Sequence, residues 1–77
     1  MVRLFIGVGK EDHVRPGDLV GAIAGESDIP GKSIGAIQLL DRHSFVDVKK
    51  DDVSKVLDRM KEVKIKGRRT NIRLAKP

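Results

Sequence analysis

Seventy-seven residues leave room for one hydrophobic core, and with 39% apolar and 35% charged side chains that core can hold two layers at most. The absence of cysteine excludes disulfide staples and thiolate metal sites. No apolar run approaches the ~18 residues of a membrane span, and no charged start with an apolar stretch behind it opens the chain as a secretory leader would. A soluble, cytoplasmic protein is therefore expected. Its charge is unevenly placed: residues 55–77 hold nine bases and two acids, and residues 1–54 hold seven bases and nine acids. A basic final third suits a polyanion, either nucleic acid or an anionic membrane surface. The plainer alternative is a solvated charged face.

In chain order, Leu4, Ile6 and Val8 alternate with Arg3, Phe5 and Gly7, the two-residue period of a half-buried strand. A glycine-led loop covers Gly9 to His13. Arg15-Pro16-Gly17-Asp18 then reads as a helix entrance, because proline is tolerated in the first turn and aspartate suits its positive end. Leu19, Val20, Ile23 and Ala24 follow at helical spacing, which predicts a first helix ending near Ala24 with Gly25 as its cap. Ile34 to Leu40 forms a second strand. A third follows at once, with Ser44, Val46 and Val48 alternating with His43, Phe45 and Asp47. Asp51 and Asp52 are N-cap candidates for a second helix, whose Val53, Val56, Leu57 and Met60 make one apolar stripe. Val63 to Ile65, a turn at Lys66-Gly67, and a last strand with Thr70, Ile72 and Leu74 alternating with Arg69, Asn71 and Arg73 complete the chain.

The order βαββαβ is that of the ferredoxin-like split βαβ fold, an α+β arrangement of four antiparallel strands with both helices on one face, built as a single domain over residues 1–77. The other face of such a sheet is open. The residues between the aliphatic positions belong there: Arg3, Phe5, Gly7, His43, Phe45, Asp47, Arg69, Asn71 and Arg73, with Gln38 joining them if the second strand is in phase. Phe5 and Phe45 are the only aromatics of the Phe, Tyr and Trp class, and both fall opposite the aliphatic stripe. Exposed rings beside arginines form a platform on which any base can stack while the cations neutralise phosphate.

These residues resemble the RNA recognition motif. Leu4-Phe5-Ile6-Gly7-Val8-Gly9 is similar to its first-strand signature, with Phe5 at the stacking position. Asp41-Arg42-His43-Ser44-Phe45-Val46-Asp47-Val48 is similar to its third-strand signature, with Phe45 and His43 at the ring positions. The third-strand pattern wants a base at Asp41, glycine at Arg42 and aromatic rings at His43 and Val48; the first-strand pattern wants a side-chain amide near Val8. A narrower resemblance runs through Gly7-Val8-Gly9-Lys10, Arg15 to Ile23, Ile34-Gly35-Ala36-Ile37, Ser44 to Val48 and Ile65-Lys66-Gly67-Arg68-Arg69, and it is to the DbpA-type RNA-binding domain. That domain is an atypical RNA recognition motif at the C-terminus of bacterial DEAD-box RNA helicases.

The resemblance implies one monomeric domain excised from a larger helicase, tethering a helicase core in cis to structured RNA. It implies as target a hairpin of large-subunit ribosomal RNA near the peptidyl-transferase centre, and hence a role in ribosome assembly. Within this chain it implies no catalytic residue, no metal and no cofactor, since ATP and magnesium belong to the helicase core of that family.

Lys64, Lys66, Arg68 and Arg69 cluster at the Lys66-Gly67 turn, and Lys10 sits in the first loop. They are expected to hold phosphates while the open face or adjacent loops read bases; their other role is to guard a solvated hairpin edge. Gly31-Lys32-Ser33 lacks the upstream glycine and the strand-to-helix setting of a phosphate loop. Two readings compete with RNA binding. One is an acylphosphatase-like enzyme with the Gly7 to Lys10 loop as an anion nest. The other is a protein-interaction module whose open face docks a helix.

Overall fold

Alternating aliphatic residues make the sheet. In the computed structural model, which describes residues 1–75, Leu4 and Ile6 of β1 (Val2–Ile6) and Val46 and Val48 of β3 (Ser44–Val48) are wholly buried. β2 (Ile34–Leu39) pairs with β3, and β6 (Arg73–Leu74) pairs with β1, giving the antiparallel order β2-β3-β1-β6. Two helices cover one face of this sheet. α1 (Pro16–Ser27) buries Leu19, Ile23 and Ser27, and α2 (Val53–Arg59) buries Val53 and Val56, with Met60 closing the same stripe. Sheet and helix residues share one core, each fully buried aliphatic contributing about 1.5–3 kcal/mol. This is the α+β, ferredoxin-like split βαβ fold that the periodicity predicts. Lys76, counted in the basic final third, lies outside the described residues.

Four local expectations are corrected. α1 does not stop at Ala24 with Gly25 as cap: it runs one turn further, and Asp28 caps it in a left-handed conformation (φ 55°). The extra turn carries Ser27 into the core four residues after Ile23, whereas Gly25 is solvent-facing and meets nothing that would end the helix. Asp51 and Asp52 lie in a 3-10 turn (Lys50–Asp52) ahead of α2, and Asp52, at the N-cap position, makes no side-chain cap bond. β1 ends at Ile6, because the Gly7 amide turns to donate to the carbonyl of Thr70.

The last correction matters most for function. Residues 63–74 do not form one hairpin with the main sheet. β4 (Lys64–Ile65) and β5 (Arg68–Arg69) pair only with each other, around a turn whose Lys66 and Gly67 both have positive φ (52° and 79°), as two-residue hairpins favour. Buried Thr70 donates to the Met60 carbonyl, and Asn71 at φ 46° redirects the chain before β6 joins the sheet. Arg69 therefore belongs to the small hairpin and leaves the open face.

Candidate nucleic-acid interface

Backbone register builds the open face. Gln38 of β2 stands opposite Phe45 of β3, Phe45 opposite Phe5 of β1, and Phe5 opposite Arg73 of β6. One row thus crosses all four strands with an amide, two phenyl rings and a guanidinium. Leu4, Ile6, Val46 and Val48 point to the other side into the core, so both rings, each half-buried, stand away from the helices as the alternation predicts. His43, one residue ahead of β3, completes a ring cluster. Its imidazole stacks on Phe5 at 5.5 Å between centroids and meets Phe45 edge-on at 5.3 Å, and the two phenyl rings are 6.1 Å apart.

The cations divide into paired and free. Arg73 lays its guanidinium 4.2 Å from the Phe5 centroid, within the ~6 Å range of a cation–π contact. Phe5 is thereby covered by Arg73 and His43 together. Phe45 carries Arg3 at the 6.0 Å margin and meets His43 and Phe5 edge-on. Arg3 in turn donates through Nε to Oδ1 of Asp47 at 3.2 Å, its partner in strand register. Phe5, Phe45, Arg73 and Ala75 line a shallow open concavity of about 520 Å³.

The β4–β5 hairpin sits at the end of the sheet where β1 runs into α1. Its Arg68 pairs with Asp12 at 3.4 Å, which ties the hairpin to the 3-10 turn Lys10–Asp12 and brings Lys10 to the same end. Lys10, Lys64, Lys66 and Arg69 are exposed and form no ion pair among the described residues. Asn71, two residues ahead of β6, is exposed. The predicted residues therefore fall into two groups: Arg3, Phe5, His43, Phe45, Asn71 and Arg73 along the sheet, and Lys10, Lys64, Lys66, Arg68 and Arg69 at the hairpin end.

The loop after β1 is no anion nest. The Lys10 and Glu11 amides donate to the carbonyls of Leu40 and Asp41, the Gly9 amide to Oδ2 of Asp12, and the Asp12 amide to the Gly9 carbonyl. With the Gly7 amide on Thr70, the Gly7, Gly9, Lys10, Glu11 and Asp12 amides are spent inside the fold. Gly9 allows this closure, since a Cβ there would fall on the Leu40 carbonyl oxygen and 2.7 Å from the Asp41 oxygen.

Two further residues neighbour the platform: the sequence offered Gln38 with the phase of its strand left open, and gave no sign of Arg42. Gln38 reaches the ring row because β2 carries an extra residue between Ile34 and Ile37, which resets its phase. Arg42, beside His43, pairs with Glu11 at 3.2 Å and links the β2–β3 loop to the β1–α1 loop. No periodic signal marks a loop residue of that kind.

Against known proteins, the model of the DbpA RNA binding domain family matches residues 3–74, all of the strands and helices but Val2 at the start of β1. The chain is similar to the ATP-dependent RNA helicase DbpA of Escherichia coli (strain K12), 36% identical over 76 residues, 99% of this chain and 17% of the relative. It is 36% identical over 69 residues to the ATP-dependent RNA helicase DeaD of the same strain, covering 90% of this chain and 11% of that protein. With the DbpA helicase of Bacillus subtilis (strain 168) it shares 29% over 75 residues, 97% of this chain and 16% of the relative. The chain thus spans less than a fifth of the length of each of these helicases. An open aromatic sheet face, a basic hairpin and a family match over nearly the whole sequence agree, and the chain belongs to the DbpA RNA binding domain family.

Proposed function

We propose that this chain is the RNA-binding module of a DEAD-box ATP-dependent RNA helicase, and that it holds the helicase core to structured RNA. The row Gln38–Phe45–Phe5–Arg73 carries the reading, because it sets stacking rings and cations side by side on a face with no helix over it. Unpaired bases stack on the rings, Phe45 first, and Arg3, His43, Asn71 and Arg73 surround them. The hairpin residues Lys64, Lys66, Arg68 and Arg69, together with Lys10, hold phosphates of an adjoining helical stem. Family membership and the small share of each helicase that the chain spans support a module serving a larger enzyme. ATP and magnesium act in the helicase core, and no residue of this chain is assigned to them. A hairpin of large-subunit ribosomal RNA is the proposed target, in the cytoplasm and during ribosome assembly.

The test is a titration of a fluorescent ribosomal hairpin and an unrelated hairpin of equal length at two salt concentrations. Binding should weaken with a log–log slope of roughly −0.7 to −0.9 per phosphate neutralised, and the ribosomal hairpin should bind more tightly. Equal affinity for the two hairpins removes the ribosomal target, and a flat salt response removes the phosphate contacts.

A further inference from the structure

Asp47 is out of place on a surface built for a polyanion. Among the described residues it is the only acid within any strand, and it lies on the open face beside the ring cluster. A carboxylate there repels phosphate, and its exposed pairing with Arg3 adds little to stability. The pair does fix geometry. Arg3 stands directly opposite Asp47 in register, holds Oδ1 at 3.2 Å, and carries its guanidinium to 6.0 Å from the Phe45 centroid. One oxygen is thereby anchored on the arginine that borders the ring, while nothing among the described residues bonds Oδ2.

We propose that Asp47 is a specificity-determining residue: it reads the base stacked on Phe45 and selects one bearing an exocyclic amino group over uracil. The inference rests on the RNA-binding reading above. Asp47 follows Phe45 by two residues on the same face, a spacing of roughly 6.5–7 Å. That span suits the half-width of a base plus one hydrogen bond of about 2.9 Å. An ionised carboxylate only accepts. Cytosine offers it the N4 amino group, and adenine and guanine offer theirs, whereas uracil presents a carbonyl oxygen where cytosine has the amine. Arg3 acts as the positioning residue that aims the free oxygen.

The experiment compares oligocytidine and oligouridine of equal length by fluorescence anisotropy, because the two bases have the same ring shape and differ along one edge, at C4 and in the hydrogen on N3 of uracil. Wild type should favour cytidine about tenfold. Asp47→Asn removes a negative charge and tightens both, but its amide can donate to uracil as well as accept from cytosine, so the preference should fall to about twofold or less. Glu26→Gln removes an exposed acid from α1, on the helix side of the sheet, and should leave the preference intact. A cytidine strand carrying pyrimidin-2-one bases, which lack the amine, tests the wild-type protein directly and should bind as weakly as oligouridine. An Asp47→Asn variant that tightens both strands with an unchanged ratio overturns the inference and leaves RNA binding standing. So does binding of a hairpin with no binding of either strand. Loss of all RNA binding by the wild type overturns the underlying reading as well.

Discussion

Phe5 and Phe45 sit side by side but stand unequally ready for a base. Arg73 at 4.2 Å and stacked His43 already engage Phe5, so a base stacking there competes with them. Phe45 has Arg3 at its 6.0 Å margin and edge-on contacts with His43 and Phe5, with no stacked ring and no close cation. Phe45→Ala should therefore cost the larger share of unpaired-base affinity, about 1–3 kcal/mol, or roughly five- to 150-fold in Kd, with Phe5→Ala costing less. Anisotropy titration at fixed salt measures both, and the reverse order would place the base on Phe5. The rings were legible from sequence because two separate strands each set a phenylalanine against an aliphatic stripe. The arginines were only partly so: Arg73 keeps the alternation and lands on Phe5, whereas Arg69 loses it when Asn71 turns the chain left-handed.

On the proposed reading, the β4–β5 hairpin is the element that holds backbone phosphate. Arg68 is already engaged with Asp12 at 3.4 Å, but Lys64, Lys66 and Arg69 project freely. Replacing these three by alanine should weaken a ribosomal hairpin and an unrelated hairpin alike. It should also make the salt slope shallower by roughly 0.7–0.9 for each phosphate that is no longer neutralised. An unchanged slope would show that phosphate is held elsewhere. The β1–α1 loop is structural in the same region: Gly9→Ala drives a methyl group into the Leu40 and Asp41 carbonyls and should cost about 1–3 kcal/mol in thermal unfolding, as overpacking does. At this scale, elements with an unbroken period could be read directly, which is why β1, β3 and the α2 stripe stand where alternation puts them. Elements with an inserted or turned residue could not. The bulge before Ile37 left the phase of Gln38 open, and the hairpin could be seen as a turn without showing that β6, not β5, closes the sheet. Pairing partners depend on tertiary burial of Thr70, and no local pattern reports that.

At the scale of the molecule, one sheet separates the proposed binding surface from the core. Leu4 and Ile6 face the helices while Arg3 and Phe5 of the same strand face solvent or RNA. Two perturbations on opposite sides of β1 should then act independently, since sites with no common partners add. Ile6→Val should cost about 0.5–1.5 kcal/mol, which at roughly 4–8 °C per kcal/mol for a domain of this size lowers the Tm by roughly 2–12 °C. RNA at a hundredfold excess over Kd stabilises the fold by about 2.7 kcal/mol, and should raise the Tm by roughly 10–20 °C by the same conversion. The increment due to RNA should be the same in wild type and Ile6→Val, and should shrink in Phe45→Ala. Differential scanning fluorimetry with and without the ribosomal hairpin measures all three. An RNA increment that shrinks in Ile6→Val would mean that loosening the core side of β1 disturbs the ring platform, so that the sheet couples its two faces instead of insulating them.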